Sequence, residues 1–364
     1  MKMKRILTLI LVIAVAFTMA GCSSSSSTPS SSTPSSAPSS GAEDLETALA
    51  NMEPMELNMP INLPGNHILT QAFETWADSI NEVTKGKITV TIHRGGTLLK
   101  SGSIYQGVRD GVAEIGEEDL AYNPSEFPLF GAFFMGGIKF PDTITASKAV
   151  NDWVHADFEE YKDVKMLWAY SMPPSVLMGN KKIEKLEDLQ GTQVRVTGFC
   201  QDTIKRLGGT PVGITMSETY DALLKGTVDL NMANPGVMGA PLNLGEVSKY
   251  MTITPGISNI PHVIFMNLDA WNSIPPAVQA EIEKINLEAV VNTAELGEKY
   301  YNDGLQISRD KNIEIIELSD TELQRWYDVL KSQHDDWIKE KNAAGLDGQG
   351  AYDYLIDLVN KYSS

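Results

Sequence analysis

Only two of the 364 residues are cysteine, Cys22 and Cys200. A disulfide framework is therefore excluded as the source of stability, which must come from a buried apolar core. Basic side chains are also scarce, 29 against 47 acidic ones, for a net charge of −18. That imbalance argues against nucleic acid or an anionic lipid surface as a partner bound through charge. The five histidines, His67, His93, His155, His262 and His334, include no close pair. There is no Gly-x-Ser-x-Gly elbow, no His-Glu-x-x-His, no Gly-x-x-x-x-Gly-Lys loop and no pair of cysteines spaced for zinc. No enzyme activity, cofactor or metal centre is expected.

Long apolar runs are limited to residues 6–17, which follow Lys2, Lys4 and Arg5 and are too short to span a bilayer. This is the layout of a secretory signal. Met19-Ala20-Gly21-Cys22 resembles a bacterial lipobox, which implies cleavage before Cys22 and lipid on its thiol; Met19 stands where Leu is usual. The other reading is an ordinary signal peptide with a stray cysteine. Residues 23–41 are all Ser, Thr, Pro, Ala or Gly, and such a segment cannot bury enough apolar surface to become ordered. It reads as a tether holding a domain roughly 25 Å from its anchor. Losing the leader leaves 26 basic against 47 acidic side chains. Cys200 then stands alone, either as a small buried hydrophobe or as a reactive thiol, with no catalytic dyad recognisable around it.

The remaining chain alternates strand and helix signals. Extended runs are expected at 57–63, 88–92, 112–116, 165–170, 176–180, 193–197, 228–230 and 263–267. Helices are expected at 68–83, where Phe73, Trp76, Ile80 and Val83 share one face and Gly86 marks the end, and at 101–110, 201–207 and 218–225. Ser217 suits the N-cap of the last of these and Gly226 its stop. The longest helical stretch starts at Pro276 and runs to about residue 302, with Gly304 as its terminator. At 1.5 Å per residue it reaches about 40 Å, long enough to run along two lobes.

Several blocks together resemble the solute-binding proteins of TRAP (tripartite ATP-independent periplasmic) transporters, the DctP-like group. They are Gly65-Asn66-His67, Thr84-Lys85-Gly86-Lys87-Ile88, the run from Val108 to Gly116, and Leu186-Glu187-Asp188-Leu189-Gln190-Gly191-Thr192-Gln193-Val194-Arg195-Val196. In order after these come Leu207 to Val212, Glu218 to Leu223, Lys225 to Asp229, Gly245 to Tyr250, and Asn267-Leu268-Asp269-Ala270-Trp271 with Ile274-Pro275. The resemblance implies an α/β, two-lobed periplasmic-binding-protein-like fold with crossing strands and a long connecting helix. It further implies an extracytoplasmic receptor that captures a small organic anion and hands it to the permease subunits of a TRAP transporter, which an ion gradient drives. The expected division is a leader at 1–21, a lipidated Cys22 and tether at 22–54, mainly lobe I at 55–175 and mainly lobe II at 176–262. A crossing strand and long helix follow at 263–305, then a C-terminal segment at 306–364 packing on the lobes.

The resemblance makes Arg195 the carboxylate clamp. A planar guanidinium offers paired donors to the two carboxylate oxygens; an arbitrary strand arginine would instead be a surface or salt-bridged side chain. Ser175 stands where some relatives have a second arginine, so a second ion pair is not available there. Asn234 is carried as a ligand contact although Asn234-Pro235 falls one residue later than an ungapped match, which would put Ala233 there. Met216 and Phe199 are ligand contacts or core, and Asn259 is a candidate on similar grounds. Glu117 and Glu118 are expected just after a strand, either solvated or facing the cleft, where they would favour a ligand bearing an amine or hydroxyls. Tyr170, at the end of a crossing strand, is a similar case. The rival reading is the receptor of an ATP-driven transporter or of a sensor. The expected location is extracytoplasmic, lipid-anchored through Cys22, in the periplasm or on the outer face of the cytoplasmic membrane.

Overall fold

The first helix, α1 (Leu45–Asn51), starts where Asp44 accepts a hydrogen bond from the Thr47 N–H at 3.0 Å, and it buries Ala48 and Leu49. The structure is a computed structural model and describes residues 44–363, so the leader, Cys22 and most of the tether lie outside the described residues. Within the span 22–54 assigned to the tether, residues 45–51 form α1. Leu45, Ala48, Leu49 and Met52 supply an apolar face that the Ser/Pro-rich stretch lacks.

Lobe I is built first. β1 (Met55–Pro60) and β2 (Ile88–His93) pair in parallel through the crossover helix α2 (Ile68–Val83). α2 occupies the span its periodicity predicts and buries Phe73, Trp76 and Ile80. Lys85 and Gly86, at φ 53° and 79°, turn the chain into β2. α3 (Ile104–Arg109) is shorter than the expected 101–110, and β3 (Ile115–Glu118) starts later than the expected 112–116. The delay arises because the Val112 N–H bonds back to the Gly107 carbonyl at 2.8 Å, which keeps Val112 in the turn. Glu117 and Glu118 consequently lie inside the strand, both buried, instead of in the loop after it.

After α4 (Thr143–Val154), β4 (Val164–Met172) leads through Pro173, Pro174 and Ser175 into β5 (Val176–Gly179) of lobe II. Lobe II continues with β6 (Gln193–Val196), α5 (Cys200–Arg206), β7 (Thr210–Gly213), α6 (Thr219–Lys225), β8 (Leu230–Ala233) and β9 (Tyr250–Ile253). Ser217 does not cap α6. The preceding tight turn is held by Glu218, whose carboxylate accepts from the Thr215 N–H at 2.9 Å and its hydroxyl at 2.6 Å. β8 begins two residues after the expected 228, because Val228 packs beneath α6 with Leu223. Gly226, at φ 69°, closes α6 as expected.

The chain then returns to lobe I as β10 (Ile260–Asn267), which inserts antiparallel between β3 and β4 and ends in the short helix α7 (Leu268–Asn272). α8 (Pro276–Asp310) has 35 residues and spans about 52 Å. It passes through Gly304, which therefore does not terminate it. A Cβ at Gly304 would stand 2.1 Å from the Pro235 carbonyl oxygen, so the glycine is there to let the helix touch that backbone. The reversal comes instead at Asn312, φ 57°. β11 (Glu314–Glu317) then completes the lobe II sheet in the order β11-β9-β5-β8-β6-β7. Finally α9 (Asp320–Ala343) and α10 (Gly348–Tyr362) bury Trp326, Leu330 and Leu355 in the cluster that contains Phe133, Phe134 and Trp153. No helix among the described residues is long and apolar enough to cross a membrane.

Candidate functional site

The two strand crossings between the lobes are clasped together. The Ser175 N–H and hydroxyl donate to the Ser258 carbonyl at 3.4 and 3.3 Å, and the Thr254 hydroxyl donates to the Ser175 carbonyl at 3.1 Å. Against this clasp lies a cavity of about 680 Å³, within the roughly 300–1,000 Å³ usual for small-molecule sites. Residues of both lobes and of α8 line it.

Strand alternation aims the principal charge. Val194 and Val196 turn into the core cluster, so Arg195 between them leaves on the other face and borders the cavity. Arg195 is 2% exposed. Its Nε donates to the Ile214 carbonyl at 2.9 Å and its Nη2 to the Tyr122 hydroxyl at 3.1 Å, while Nη1 has no partner among the described residues. Among the described residues no carboxylate forms an ion pair with it. A buried guanidinium in that condition is unfavourable, and an anion is the partner that would offset the burial.

Asn234 ends β8. Its Oδ1 accepts from the Gly236 N–H at 2.8 Å, which leaves the buried Nδ2 without a partner, and the residue borders the cavity. Ala233 borders it as well, so the one-residue offset seen in the sequence does not remove Asn234 from the wall. Met216, half-buried, is also in the wall, as are Ser175 and Asn259. The Ser175 hydroxyl is engaged with the clasp. Both Asn259 donor hydrogens go to the Phe133 and Ile138 carbonyls, at 3.1 and 3.2 Å, leaving only its oxygen for a ligand. Phe199 is elsewhere: its ring packs on Phe134 at 5.1 Å in the space that Gly131 leaves free. Tyr170 is fully buried behind the wall and donates its hydroxyl to Glu117 Oε1 at 3.0 Å.

Both glutamates of β3 border the cavity, but their carboxylates meet different partners. Glu118 accepts from the Gly102 and Tyr105 N–H groups, the latter at 3.0 Å, and so fixes the entry to α3. Burial pushes its carboxyl up to about 8. Glu117 Oε1 receives the Tyr170 hydroxyl and also meets His262 Nδ1 at 2.8 Å, while Oε2 has no partner among the described residues. Burial would lower the His262 imidazole, but the Glu117 hydrogen bond and the charges of Glu117, Asp119 and Glu118 raise it on balance.

His67, Tyr122, His262 and Tyr300 also line the cavity and were not singled out in the sequence. His67 sits at the N-terminus of α2, where its Nδ1 accepts from the Leu69 N–H at 3.2 Å. Burial pulls its imidazole down to about 4, so at neutral pH the ring is uncharged and its single proton sits on Nε2. Its ring lies 4.6 Å from that of Tyr300, whose hydroxyl is buried without a partner. Cys200 also borders the cavity, but burial pushes its thiol up to about 11, which suits a packing role and not a nucleophile. Among the described residues no group of three or more His, Cys, Asp or Glu is placed to hold a metal ion.

Residues 61–341 match the model of the bacterial extracellular solute-binding proteins, family 7 (DctP). A Haemophilus influenzae protein described as uncharacterised is 28% identical over 226 residues; the match covers 60% of this chain and 66% of that protein, just short of two thirds of its length. The fold superposes on a TRAP periplasmic solute-binding protein from Desulfovibrio salexigens with a TM-score of 0.73 and 30% identity, covering 85% of this chain and 96% of the other. It also superposes on a TRAP solute-binding protein from an unidentified marine microbe, specific for aromatic acid ligands and solved with 3-hydroxybenzoate. There the TM-score is 0.80 with 25% identity, and 86% of this chain and all of the other are covered.

Proposed function

The chain belongs to the bacterial extracellular solute-binding proteins of family 7, and on that premise we propose that it captures a small organic carboxylate and delivers it to a TRAP-type permease driven by an ion gradient. The observation that carries the ligand class is Arg195, a buried guanidinium on the wall of a cavity of about 680 Å³ that forms no ion pair with a carboxylate among the described residues. A carboxylate would take both Nη groups in a planar fork, and the free Nδ2 of Asn234 supplies a further donor from the same lobe. The aromatic acid bound by the marine relative supports this class of ligand. Delivery to a permease rests on the family.

Mass spectrometry of whatever copurifies with the protein identifies the ligand. Calorimetry with that compound tests the clamp: Arg195→Ala should lose at least about tenfold in affinity and Arg195→Lys should recover only part of it, since an ammonium cannot form the fork. Unchanged affinity in the alanine variant would overturn the assignment. The same reading places the protein outside the cytoplasm on a lipid carried by Cys22, motivated by Met19-Ala20-Gly21-Cys22 and the tether behind it. Intact-mass analysis of membrane-extracted protein tests the anchor, and an unmodified Cys22 thiol would rule it out.

A further inference from the structure

On the cavity wall, lobe I and α8 supply Glu117, His67 and Tyr300. These groups form a second polar pole with a definite pattern of donors and acceptors. His67 is held as a donor at Nε2, because Nδ1 is occupied by the Leu69 N–H. Tyr300 is 7% exposed, borders the cavity, and has a hydroxyl with no partner among the described residues. Glu117 keeps Oε2 unpaired while Oε1 takes both the Tyr170 hydroxyl and the His262 contact. The charge of Glu117 is felt at His67, so these groups share one neighbourhood.

We propose that this pole recognises a hydroxyl group on the ligand, making the cargo a hydroxylated monocarboxylate; the proposal rests on the reading of Arg195 as the carboxylate clamp. A hydroxyl matches both halves of the pattern, since it accepts from His67 or Tyr300 and donates to Glu117 Oε2. A second carboxylate only accepts, and it would face the like charge of Glu117. A bare methylene or aromatic edge would leave a buried carboxylate oxygen and a buried phenol unpaired on binding, which is how a site built for a hydroxyl rejects the analogue lacking it. An ammonium would satisfy Glu117 but offer nothing to the His67 donor.

Calorimetry on the full chain with matched pairs reads the proposal: 3-hydroxybenzoate against benzoate, mandelate against phenylacetate, and 3-hydroxybutyrate against butyrate, with 3-aminopropionate as the ammonium arm. In at least one pair the hydroxylated member binds about tenfold or more tightly, and Tyr300→Phe and Glu117→Gln each shrink that ratio. Tyr300→Phe keeps the ring that packs on His67, so it remains informative if Glu117→Gln fails to fold. Equal affinity within every pair, a preference for 3-aminopropionate, or a ratio unmoved by Tyr300→Phe would overturn the hydroxyl assignment while the carboxylate clamp stands. Loss of all binding in Arg195→Ala, with hydroxyl preference intact in the native protein, supports both; binding unaffected by Arg195→Ala removes the clamp and the proposal with it.

Discussion

The Tyr122 hydroxyl, from the turn that follows β3, accepts a hydrogen bond from Arg195 Nη2 on β6 at 3.1 Å. One lobe thus holds the residue that fixes the guanidinium supplied by the other. The Gly198 N–H donates to the Ala121 carbonyl at 3.2 Å beside it, so the contact spans two neighbouring points of the lobe boundary. Holding Arg195 by Nε and Nη2 fixes the plane of its fork, and a preorganised fork loses less entropy on meeting a carboxylate.

Tyr122→Phe should therefore weaken binding of the copurified ligand about three- to tenfold, the size of one ordinary hydrogen bond. Thermal stability without ligand should change little, since the ring and its packing remain. Calorimetry and thermal unfolding separate the two effects. Undiminished affinity would mean that the tyrosine does not position the arginine.

Gly304→Ala should destabilise the protein by at least about 2 kcal/mol, because the new methyl meets the Pro235 backbone and not a side chain able to rotate away. The clash displaces the segment that starts at Asn234, so ligand affinity should fall along with stability. Urea unfolding gives the first quantity and calorimetry the second. A midpoint equal to that of the native chain would show that α8 does not depend on this close approach.

How far the sequence could be read depended on whether a feature was local. The span of α2 follows from the spacing of Phe73, Trp76 and Ile80, and Arg195 stands out because it lies in the block from Leu186 to Val196 that resembles the family, while the flanking valines only say which face it takes. Gly304 misleads for an instructive reason: a glycine near the end of a helical pattern looks the same whether it stops the helix or lets another backbone approach. Of the second pole only Glu117 was legible, because the other members lie far from it in sequence. His262 meets Glu117 only because β10 inserts beside β3, and His67 meets Tyr300 only because α8 runs past the start of α2. In the doublet Tyr300-Tyr301, nothing local says which ring turns to the cavity.

Glu118 offers a test by pH. Its folded value, about 8, lies above the ordinary carboxyl value of 4.5 because burial disfavours the charged form, while the Tyr105 and Gly102 N–H groups oppose the shift. Between those values the folded state holds a proton that the unfolded state has released, so this group's contribution to stability falls as pH rises. His67, ordinarily near 6.5 and lowered to about 4, works in the opposite sense but only below 6.5. From pH 6.5 to 8 the stability of the native chain relative to Glu118→Gln should therefore drop by roughly 1–2 kcal/mol. Glu160, raised by burial to about 7, is common to both proteins and cancels. Urea titrations at the two pH values give the difference, and a constant gap would contradict a neutral Glu118.

Ligand capture should close the two lobes. Arg195 and Asn234 stand on lobe II, Glu117 and His67 on lobe I, and a small ligand touching both walls draws them together. The connections that must bend are few: the three residues between β4 and β5, the stretch between β9 and β10, and α8 where Gly304 rides on Pro235. The Ser175–Ser258 clasp ties the first two, so they should move as one hinge. A ligand that bonds to both walls binds the closed form better than the open one, and its differential affinity sets how far the population shifts. Small-angle scattering with and without the copurified ligand measures this directly: the radius of gyration should shrink on binding, and Arg195→Ala should abolish the shrinkage at the same ligand concentration. A radius that stays constant while calorimetry reports binding would show that the cavity takes its ligand without movement of the lobes.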